Sequence, residues 1–134
     1  MIVWNRCFSF RTLNFLGFLI LLINCSMAQN CSGSISLQEF DSLWFIFNST
    51  HGDNWRWHSN ESLTRWNFSL GVDSPCSIPW QGISCTRLQG ACAITGLTLT
   101  HYNMSGTLPP QIDGLSLLVT LDLRFNHISG RSTS

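Results

Sequence analysis

Four cysteines after residue 28 could either form disulfide bonds or bind a metal ion: Cys31, Cys76, Cys85 and Cys92. Zinc sites usually place their ligands in Cys-x-x-Cys pairs or add histidines at short spacing, and neither pattern surrounds these cysteines. We therefore predict disulfide bonds, which are typical of a chain made in an oxidising compartment. Four cysteines allow three pairings, and the count alone does not choose among them.

Histidines and carboxylates are the candidates for metal binding or acid–base catalysis. His51, Asp53, His58 and Glu61 lie close together, but no Glu-x-x-His or His-x-x-x-His helix frames them. A glycan hydrolase would need a pair of carboxylates, and no pair stands out in the sequence. The acids are Glu39, Asp41, Asp53, Glu61, Asp73, Asp113 and Asp122. Because a nucleophile elbow, a phosphate loop and a nucleotide fingerprint are also missing, we predict no enzyme, no metal and no cofactor.

Asparagines in Asn-x-Ser/Thr sequons are candidates for modification. Five such sequons follow residue 28: Asn30, Asn48, Asn60, Asn67 and Asn103. N-linked glycans are added on the lumenal side of the secretory pathway and at exposed asparagines. We predict glycosylation at these positions, with Asn30 the weakest candidate because cysteine is its middle residue.

The N-terminal segment has the layout of a secretory signal peptide. Arg6 and Arg11 precede eleven uncharged residues, Leu13–Ile23, and a small-residue pattern ends at Ala28. The alternative, an uncleaved membrane anchor, would need about 20 apolar residues. We predict a signal peptide at residues 1–28 and a secreted protein or one on the extracellular face of the plasma membrane. No second long apolar run follows, so we predict no transmembrane helix in the mature chain.

Composition excludes two classes of protein. The chain of 134 residues has seven basic and seven acidic side chains, and all seven bases are arginine. Without a basic cluster, we predict no nucleic-acid partner. Hydrophobic residues make up 44% and aromatic residues 12%, which argues against a disordered chain.

The elements that must position these residues begin with a helix. Ser36 and Glu39 form a capping-box pattern, and the apolar residues that follow predict a helix over about Ser36–Asn48. Its predicted apolar stripe is Leu37, Phe40, Leu43, Trp44 and Phe47. The next segment, residues 52–79, has tryptophans without period, which suggests a compact loop region packed by its own rings.

A repeat of 24 residues begins at Ile94. Five apolar or glycine positions recur at that offset, and the L-x-x-L-x-L core is typical of leucine-rich repeats. The matched positions are Ile94, Leu97, Leu99, Met104 and Gly106 with Leu118, Leu121, Leu123, Ile128 and Gly130. Such units stack, so that short strands of neighbouring repeats pair in parallel.

Four segments carry a resemblance to a known family. Residues 49–55 follow the helix and are similar to T-N-G-x-x-W, and Trp66 stands where a second tryptophan is expected. Cys76–Cys85 resembles C-x-W-x-G-V-x-C, and Met104–Ile112 matches L-x-G-x-[IL]-P-x-x-[IL]. The mature chain resembles the N-terminal cap and first repeats of plant-type extracellular leucine-rich-repeat proteins, which are receptor-like or similar to polygalacturonase inhibitors.

The resemblance implies an α/β leucine-rich-repeat solenoid start. It implies a helical, disulfide-bonded cap at residues 29–93 and about one and a half repeats with short parallel strands at residues 94–134. In this family the pair equivalent to Cys76 and Cys85 is bridged, which leaves Cys31 to pair with Cys92. The cap tryptophans Trp44, Trp55, Trp66 and Trp80 could stack on sugars, but we favour a packing role, whereas Trp57 fits the pattern least.

The resemblance also implies a non-enzymatic protein-interaction module. The concave face of a full solenoid binds a protein, peptide or cell-wall glycan ligand, and strand alternation assigns four residues to that face: Thr98, Thr100, Asp122 and Arg124. The 24-residue period predicts that Thr98 lies beside Asp122 and Thr100 beside Arg124.

The sequence departs from the family in three places. Two extra residues separate Cys76 from Trp80, and Tyr102 replaces an asparagine that the second repeat keeps as Asn126. No further repeat follows Gly130, so we expect a truncated chain whose full-length parent is longer and could be membrane-anchored. The alternative is a free-standing small secreted cysteine-containing effector or inhibitor.

Overall fold

The structure is a computed structural model that describes residues 31–59 and 62–130. The predicted signal peptide, Asn30, Asn60 and Glu61 lie outside the described residues. The chain forms helix α1 (Leu37–Ser49), a short helix α2 (Ser74–Ser77), and strands β1 (Ile83–Leu88), β2 (Ala91–Thr98), β3 (Ser105–Gly106), β4 (Thr120–Asp122) and β5 (His127–Ile128). Three 3-10 turns accompany them, at Gly52–Asn54, Phe68–Leu70 and Pro110–Gly114.

The capping box that the sequence predicts for helix α1 is present. The Glu39 backbone N–H donates to Ser36 Oγ, and the Ser36 backbone N–H donates to Glu39 Oε2 at 3.0 Å. Glu39 Oε1 also accepts the backbone N–H of Ile94 at 2.8 Å, so this buried carboxylate links the helix start to β2. Such charge-assisted hydrogen bonds are stronger than neutral ones, and they fix how the helix approaches the sheet.

The predicted apolar stripe of α1 is wrong in part. Leu43 and Ile46 are fully buried, but Leu37 and Trp44 are exposed, at 67% and 46%. The buried face instead passes through Ser42, which lies against the turn Pro110–Gly114. A Cβ on Gly114 would lie only 2.2 Å from Ser42 Oγ, so the backbone of the first repeat approaches the helix as closely as glycine allows.

The segment between α1 and β1 is packed by aromatic rings, as the sequence suggests. Trp66 stacks on Trp80 with ring centroids 5.6 Å apart, and Trp55 meets Trp66 edge-on at 5.0 Å. The indole N–H of Trp55 donates to the carbonyl of Thr50 at 3.0 Å, so this buried ring also satisfies its polar atom.

Strands β2 and β4 pair in parallel, with Leu97 opposite Leu121 and Thr98 opposite Asp122. The prediction of parallel neighbours 24 residues apart is confirmed. A second parallel pair, β3 with β5, matches Gly106 with Ile128. The sequence repeat aligns Gly106 with Gly130, so the register on this second sheet differs by two residues from the sequence period.

Strand β1 is an element that the repeat pattern does not predict. It pairs with β2 antiparallel, and the sheet order is β1-β2-β4. The predicted boundary between cap and repeats, at residues 93 and 94, falls inside β2. Residues predicted for the cap and residues predicted for the first repeat therefore share one strand, and the sheet is three strands wide.

The core extends from the aromatic rings of the cap into the first repeat and then thins. Ile94, Leu97, Leu99 and Met104 are fully buried. At the other end, Val119 is 85% exposed. The aromatic segment thus covers one end of the paired strands, whereas β4 borders solvent.

Candidate ligand-binding face

The outward face of the sheet carries hydroxyl side chains on three strands. Thr98 is exposed between the buried Leu97 and Leu99, as alternation along a strand requires. Two residues before Thr98 on β2, Gly96 lies between Ser84 of β1 and Thr120 of β4. A Cβ on Gly96 would lie 2.9 Å from the Cβ of Ser84 and 4.0 Å from that of Thr120. Hydroxyl side chains therefore lie on all three strands of this face. Gly96 has no side chain, so it leaves a depression in the middle.

An ion pair borders this face on β4 and the residues after it. Arg124 donates to both carboxylate oxygens of Asp122, from Nε at 2.9 Å and from Nη2 at 2.8 Å. Side-chain and backbone hydrogen bonds from Arg124 lower the pKa of the Asp122 carboxyl. The guanidinium is also 6.0 Å from the centre of the Phe125 ring. This arrangement fixes an anionic and a cationic group side by side at the edge of the face.

A hollow of about 400 Å³ lies where the face meets the cap. Thr98, Thr100 and His58 are among the residues that line it. At its base, Tyr102 donates to Gln81 Oε1 at 3.1 Å, and Gln81 Nε2 donates to the carbonyl of His58 at 2.7 Å. Burial raises the pKa of the Tyr102 hydroxyl, so it stays a neutral donor.

The four residues that the sequence assigns to this face lie together there only in part. Thr98 and Asp122 are register partners, as predicted. The backbone pairing continues beyond both strands, because the His101 N–H donates to the Arg124 carbonyl at 3.4 Å. The Arg124 side chain turns back onto Asp122, while Thr100 borders the hollow. Ser84 also lies on this face, and the sequence does not predict it because Ile83–Leu88 alternates only weakly.

Disulfide bonds join Cys31 to Cys92 and Cys76 to Cys85. No free cysteine occurs in the described part of the chain. The first bond connects the segment before α1 to the start of β2, and the second connects α2 to β1. Both bonds therefore lie on the cap side of the sheet, and they hold β1 and β2 against the aromatic region.

The described sequon asparagines Asn48, Asn67 and Asn103 are all exposed. Asn67 Oδ1 accepts hydrogen bonds from Ser69, and Asn103 Nδ2 donates to the carbonyl of Asn54 at 3.4 Å. Asn48 lies in the last turn of α1. Exposure makes these asparagines accessible, and glycosylation at them remains a prediction.

Of the histidine and acid candidates, His51 and His58 have different neighbours, and Glu61 lies outside the described residues. His51 Nδ1 lies 3.2 Å from the carbonyl of Ser105, and the His58 ring meets Tyr102 edge-on at 4.6 Å. Within residues 31–59 and 62–130, no group of three or more His, Cys, Asp or Glu side chains could hold a metal ion. In the same part of the chain, no helix is long and apolar enough to span a bilayer.

The cap tryptophans divide into two groups. Trp55, Trp66 and Trp80 are buried and pack the cap, in agreement with the packing role. Trp44 is 46% exposed, so packing does not account for all of its surface. Trp57 is half-buried and contacts Trp55 and Tyr102.

Comparison with known proteins finds plant relatives that share part of this sequence. The chain is 35% identical over 72 residues to a nodulation receptor kinase of Pisum sativum, a match that covers 53% of this chain and 7% of that protein. It is 42% identical over 73 residues to a leucine-rich repeat receptor-like serine/threonine-protein kinase of Arabidopsis thaliana, covering 54% and 6%. The chain is similar to plant leucine-rich-repeat receptor-like kinases. It spans less than a tenth of the length of these relatives.

No protein-family profile matches the chain. Among solved structures, a leucine-rich repeat protein from Bacteroides eggerthii is similar at a TM-score of 0.48 and 28% identity, covering 63% of this chain and 12% of that one. One from Bacteroides thetaiotaomicron has a TM-score of 0.48 and 21% identity, covering 72% and 11%.

Proposed function

We propose that this chain is a non-enzymatic protein-interaction module, namely the cap (residues 29–93) and first repeats (residues 94–134) of a secreted or cell-surface leucine-rich-repeat recognition protein. The observation that supports this most is the parallel pairing of Leu97 with Leu121 and of Thr98 with Asp122, at the period of the sequence repeat. That pairing puts leucines on one face, where Leu97 is fully buried, and polar side chains on the other.

The cap has a physical task in this proposal. A repeat cannot bury its apolar side alone, so the terminal units of a solenoid need a cover. Helix α1 provides it through Leu43 and Ile46, which are fully buried. At the other end, Leu121 is 47% exposed, and a further repeat would cover it.

The ligand in this proposal is a protein, a peptide or a cell-wall glycan that contacts Thr98, Thr100, Asp122 and Arg124. Threonine hydroxyls both donate and accept hydrogen bonds, while the Asp122–Arg124 pair presents both charges at 2.8 Å. These groups suit a polar, hydrogen-bonding partner better than an apolar one. The kinase in the relatives' names belongs to proteins of which this chain spans less than a tenth.

The location in this proposal is outside the cell, after cleavage of the signal peptide behind Ala28. The two disulfide bonds support it, because they persist in oxidising compartments. N-terminal sequencing of the protein recovered from the medium of expressing plant cells is expected to begin at Gln29. Retention of the uncleaved chain inside the cell would contradict this part of the proposal.

Binding is tested with the secreted protein on an array of plant extracellular domains, secreted peptides and oligogalacturonides. The Thr98→Arg variant places a bulky charge in the middle of the face, and the control Gln111→Arg places the same charge on the turn that packs against α1. We expect an array ligand whose affinity falls at least about tenfold, or 1.4 kcal/mol, with Thr98→Arg only. Loss of binding with Gln111→Arg instead, or no ligand at all, would contradict the proposal.

A free-standing small effector or inhibitor is the second candidate. It is favoured by the two disulfide bonds, which stabilise small domains whose core is limited. Urea unfolding and size-exclusion chromatography of the mature chain separate the two candidates. A monomer that unfolds in one cooperative transition favours the free-standing protein, whereas self-association through the exposed β4 edge favours part of a longer solenoid.

A further inference from the structure

One aromatic side chain of the cap is left partly uncovered. Trp44 is 46% exposed, although Phe47 stacks near it at 6.3 Å and Phe68 meets it edge-on at 5.2 Å. Its neighbours hold the ring in place from one side, so its open surface has a fixed position on the outside of the cap.

Asn48 lies on the same row of helix α1 as Trp44, four residues later. Side chains at i and i+4 are neighbours on a helix surface, and each leans toward the N-terminus of the helix. The Asn48 side chain therefore extends over the turn that carries Trp44. Asn48 is exposed, and within the described residues its side-chain amide has no hydrogen-bond partner.

The other described sequons differ from Asn48 in this respect. Asn67 Oδ1 is bonded to the backbone N–H of Ser69 at 3.2 Å, and Asn103 Nδ2 donates to the carbonyl of Asn54 at 3.4 Å. Asn103 also has a backbone φ of 58°, a left-handed conformation in a turn. Asn48 combines a free amide with an exposed aromatic ring at helical spacing.

We propose that Asn48 carries an N-linked glycan whose first sugar packs on the exposed face of Trp44. This inference rests on the proposed passage of the chain through the secretory pathway, which supplies a lipid-linked oligosaccharide as donor. The amide nitrogen of Asn48 bonds to C1 of the first sugar. The bond from C1 to the lipid diphosphate breaks, the lipid diphosphate leaves, and the amide gives up one proton.

The chemistry of the two surfaces is complementary. One face of a pyranose ring presents C–H groups, which pack on the flat apolar indole, while the sugar hydroxyls remain toward water. The contact would remove part of the Trp44 surface from solvent and constrain the first sugar. The exposed Trp44 side chain on the outside of the cap then contacts the glycan instead of remaining exposed to water.

The test compares the glycosylated full chain, secreted from plant cells, with its Asn48→Gln variant in three backgrounds. These are the unchanged sequence, Trp44→Ala and the control Leu37→Ala, which removes an exposed apolar side chain from the same helix about three turns before Asn48. Mass spectrometry first measures occupancy of Asn48. We expect Asn48→Gln to lower Tm by about 2–6 °C in the unchanged and Leu37→Ala backgrounds. In Trp44→Ala we expect a change below about 1 °C.

A second measurement keeps every aromatic residue. Trp44 is exposed while Trp55, Trp66 and Trp80 are buried, so acrylamide quenches Trp44 fluorescence more readily than theirs. We expect stronger quenching in Asn48→Gln than in the glycosylated protein. Trimming the glycan to its first sugar with an endoglycosidase is expected to leave both the quenching and the Tm unchanged.

Three results would overturn the inference: an unoccupied Asn48, equal Tm losses with and without Trp44, or quenching that does not depend on the glycan. If Asn67 and Asn103 are occupied and Asn48 is not, the secretory location stands and this inference alone fails. If the chain stays in the cell without any glycan, both fail. Loss of array binding by Thr98→Arg bears on the ligand proposal and leaves this one unaffected.

Discussion

The two repeats share a sequence pattern but not an environment. Leu97 is fully buried, whereas Leu121, its partner across the sheet and its equivalent in the repeat, is 47% exposed. Met104 is likewise fully buried, while its repeat equivalent Ile128 is half-buried. The first repeat lies between the cap and the second repeat, and the second has a neighbour on one side in the described chain. Burial of a repeat leucine therefore depends on the neighbours of the repeat as much as on its own sequence.

The two repeats also differ in the residue that forms hydrogen bonds at the equivalent position. Asn126 Nδ2 reaches back to the carbonyl of Leu99, and its Oδ1 accepts the Met104 N–H at 3.0 Å. The equivalent position in the first repeat is Tyr102, which has the cap beside it. Its hydroxyl bonds to Gln81, and its carbonyl accepts the Arg56 N–H at 2.7 Å. Tyr102 thus departs from the family pattern at a position that contacts the cap, whereas Asn126 contacts the preceding repeat.

The largest expected effect comes from the disulfide bonds that fasten the cap side. Cys31 and Cys92 are 61 residues apart and Cys76 and Cys85 are 9 apart, so loop-closure entropy predicts losses of about 4 and about 2.5 kcal/mol when each pair is changed to serine. Urea unfolding of the two double variants measures the difference. A larger loss for the Cys76/Cys85 pair would show that native-state packing, rather than chain entropy, dominates.

Alanine at the paired leucines tests the comparison of the repeats directly. Leu97→Ala leaves a cavity in a fully buried site and is expected to lower the free energy of unfolding by about 2–5 kcal/mol. Leu121→Ala removes a half-exposed side chain and is expected to cost about 1 kcal/mol or less. Equal losses in urea unfolding would mean that Leu121 is covered in solution, for example by a second copy of the chain.

The polar positions should differ in a smaller but measurable way. Asn126→Ala leaves the Met104 N–H and the Leu99 carbonyl without their partner, which is expected to cost about 1–3 kcal/mol. Tyr102→Phe removes one hydroxyl but keeps the ring, and about 1 kcal/mol is expected. Hydrogen exchange at the Met104 amide should accelerate in Asn126→Ala and stay unchanged in Tyr102→Phe. Acceleration in both variants would show that the two positions act as one network.

Sequence patterns predict the elements whose local signals are complete. The Ser36–Glu39 capping box is of this kind because it lies within the first turn of a helix, and the 24-residue period is of this kind because both copies of its motif are present in the sequence. The exposure of Trp44 and Leu121 could not be read in this way, since it depends on which surfaces lie next to them. Strand β1 was missed because Ile83–Leu88 alternates only weakly and pairs through a bulge, between Ser84 and Cys85.

The smallest expected effect concerns the ion pair that distinguishes the second repeat on the outward face, where the first repeat has Thr98 and Thr100. Hydrogen bonds from the Arg124 side chain and backbone lower the pKa of Asp122. A carboxyl whose pKa is lower in the folded state adds stability above its unfolded pKa, near 3.9, and loses it as pH falls through the folded value. Arg124 is exposed and Asp122 is partly exposed, so we expect little change in Tm and a clear change in the NMR titration of the Asp122 carboxyl.

Arg124→Gln is expected to raise the pKa of Asp122 only part of the way to its ordinary value, because the backbone N–H of residue 124 still donates to Oδ1 at 3.2 Å. Arg87→Gln removes the same charge from β1, where the guanidinium bonds to the carbonyls of Gly90 and Ser32, and should leave the titration unchanged. Because the side-chain hydrogen bond is the largest cause and the Coulomb attraction a minor one, 1 M salt should shift the pKa less than Arg124→Gln does. An equal shift by salt would mean that Arg124 acts on this face as a mobile charge rather than as a fixed donor.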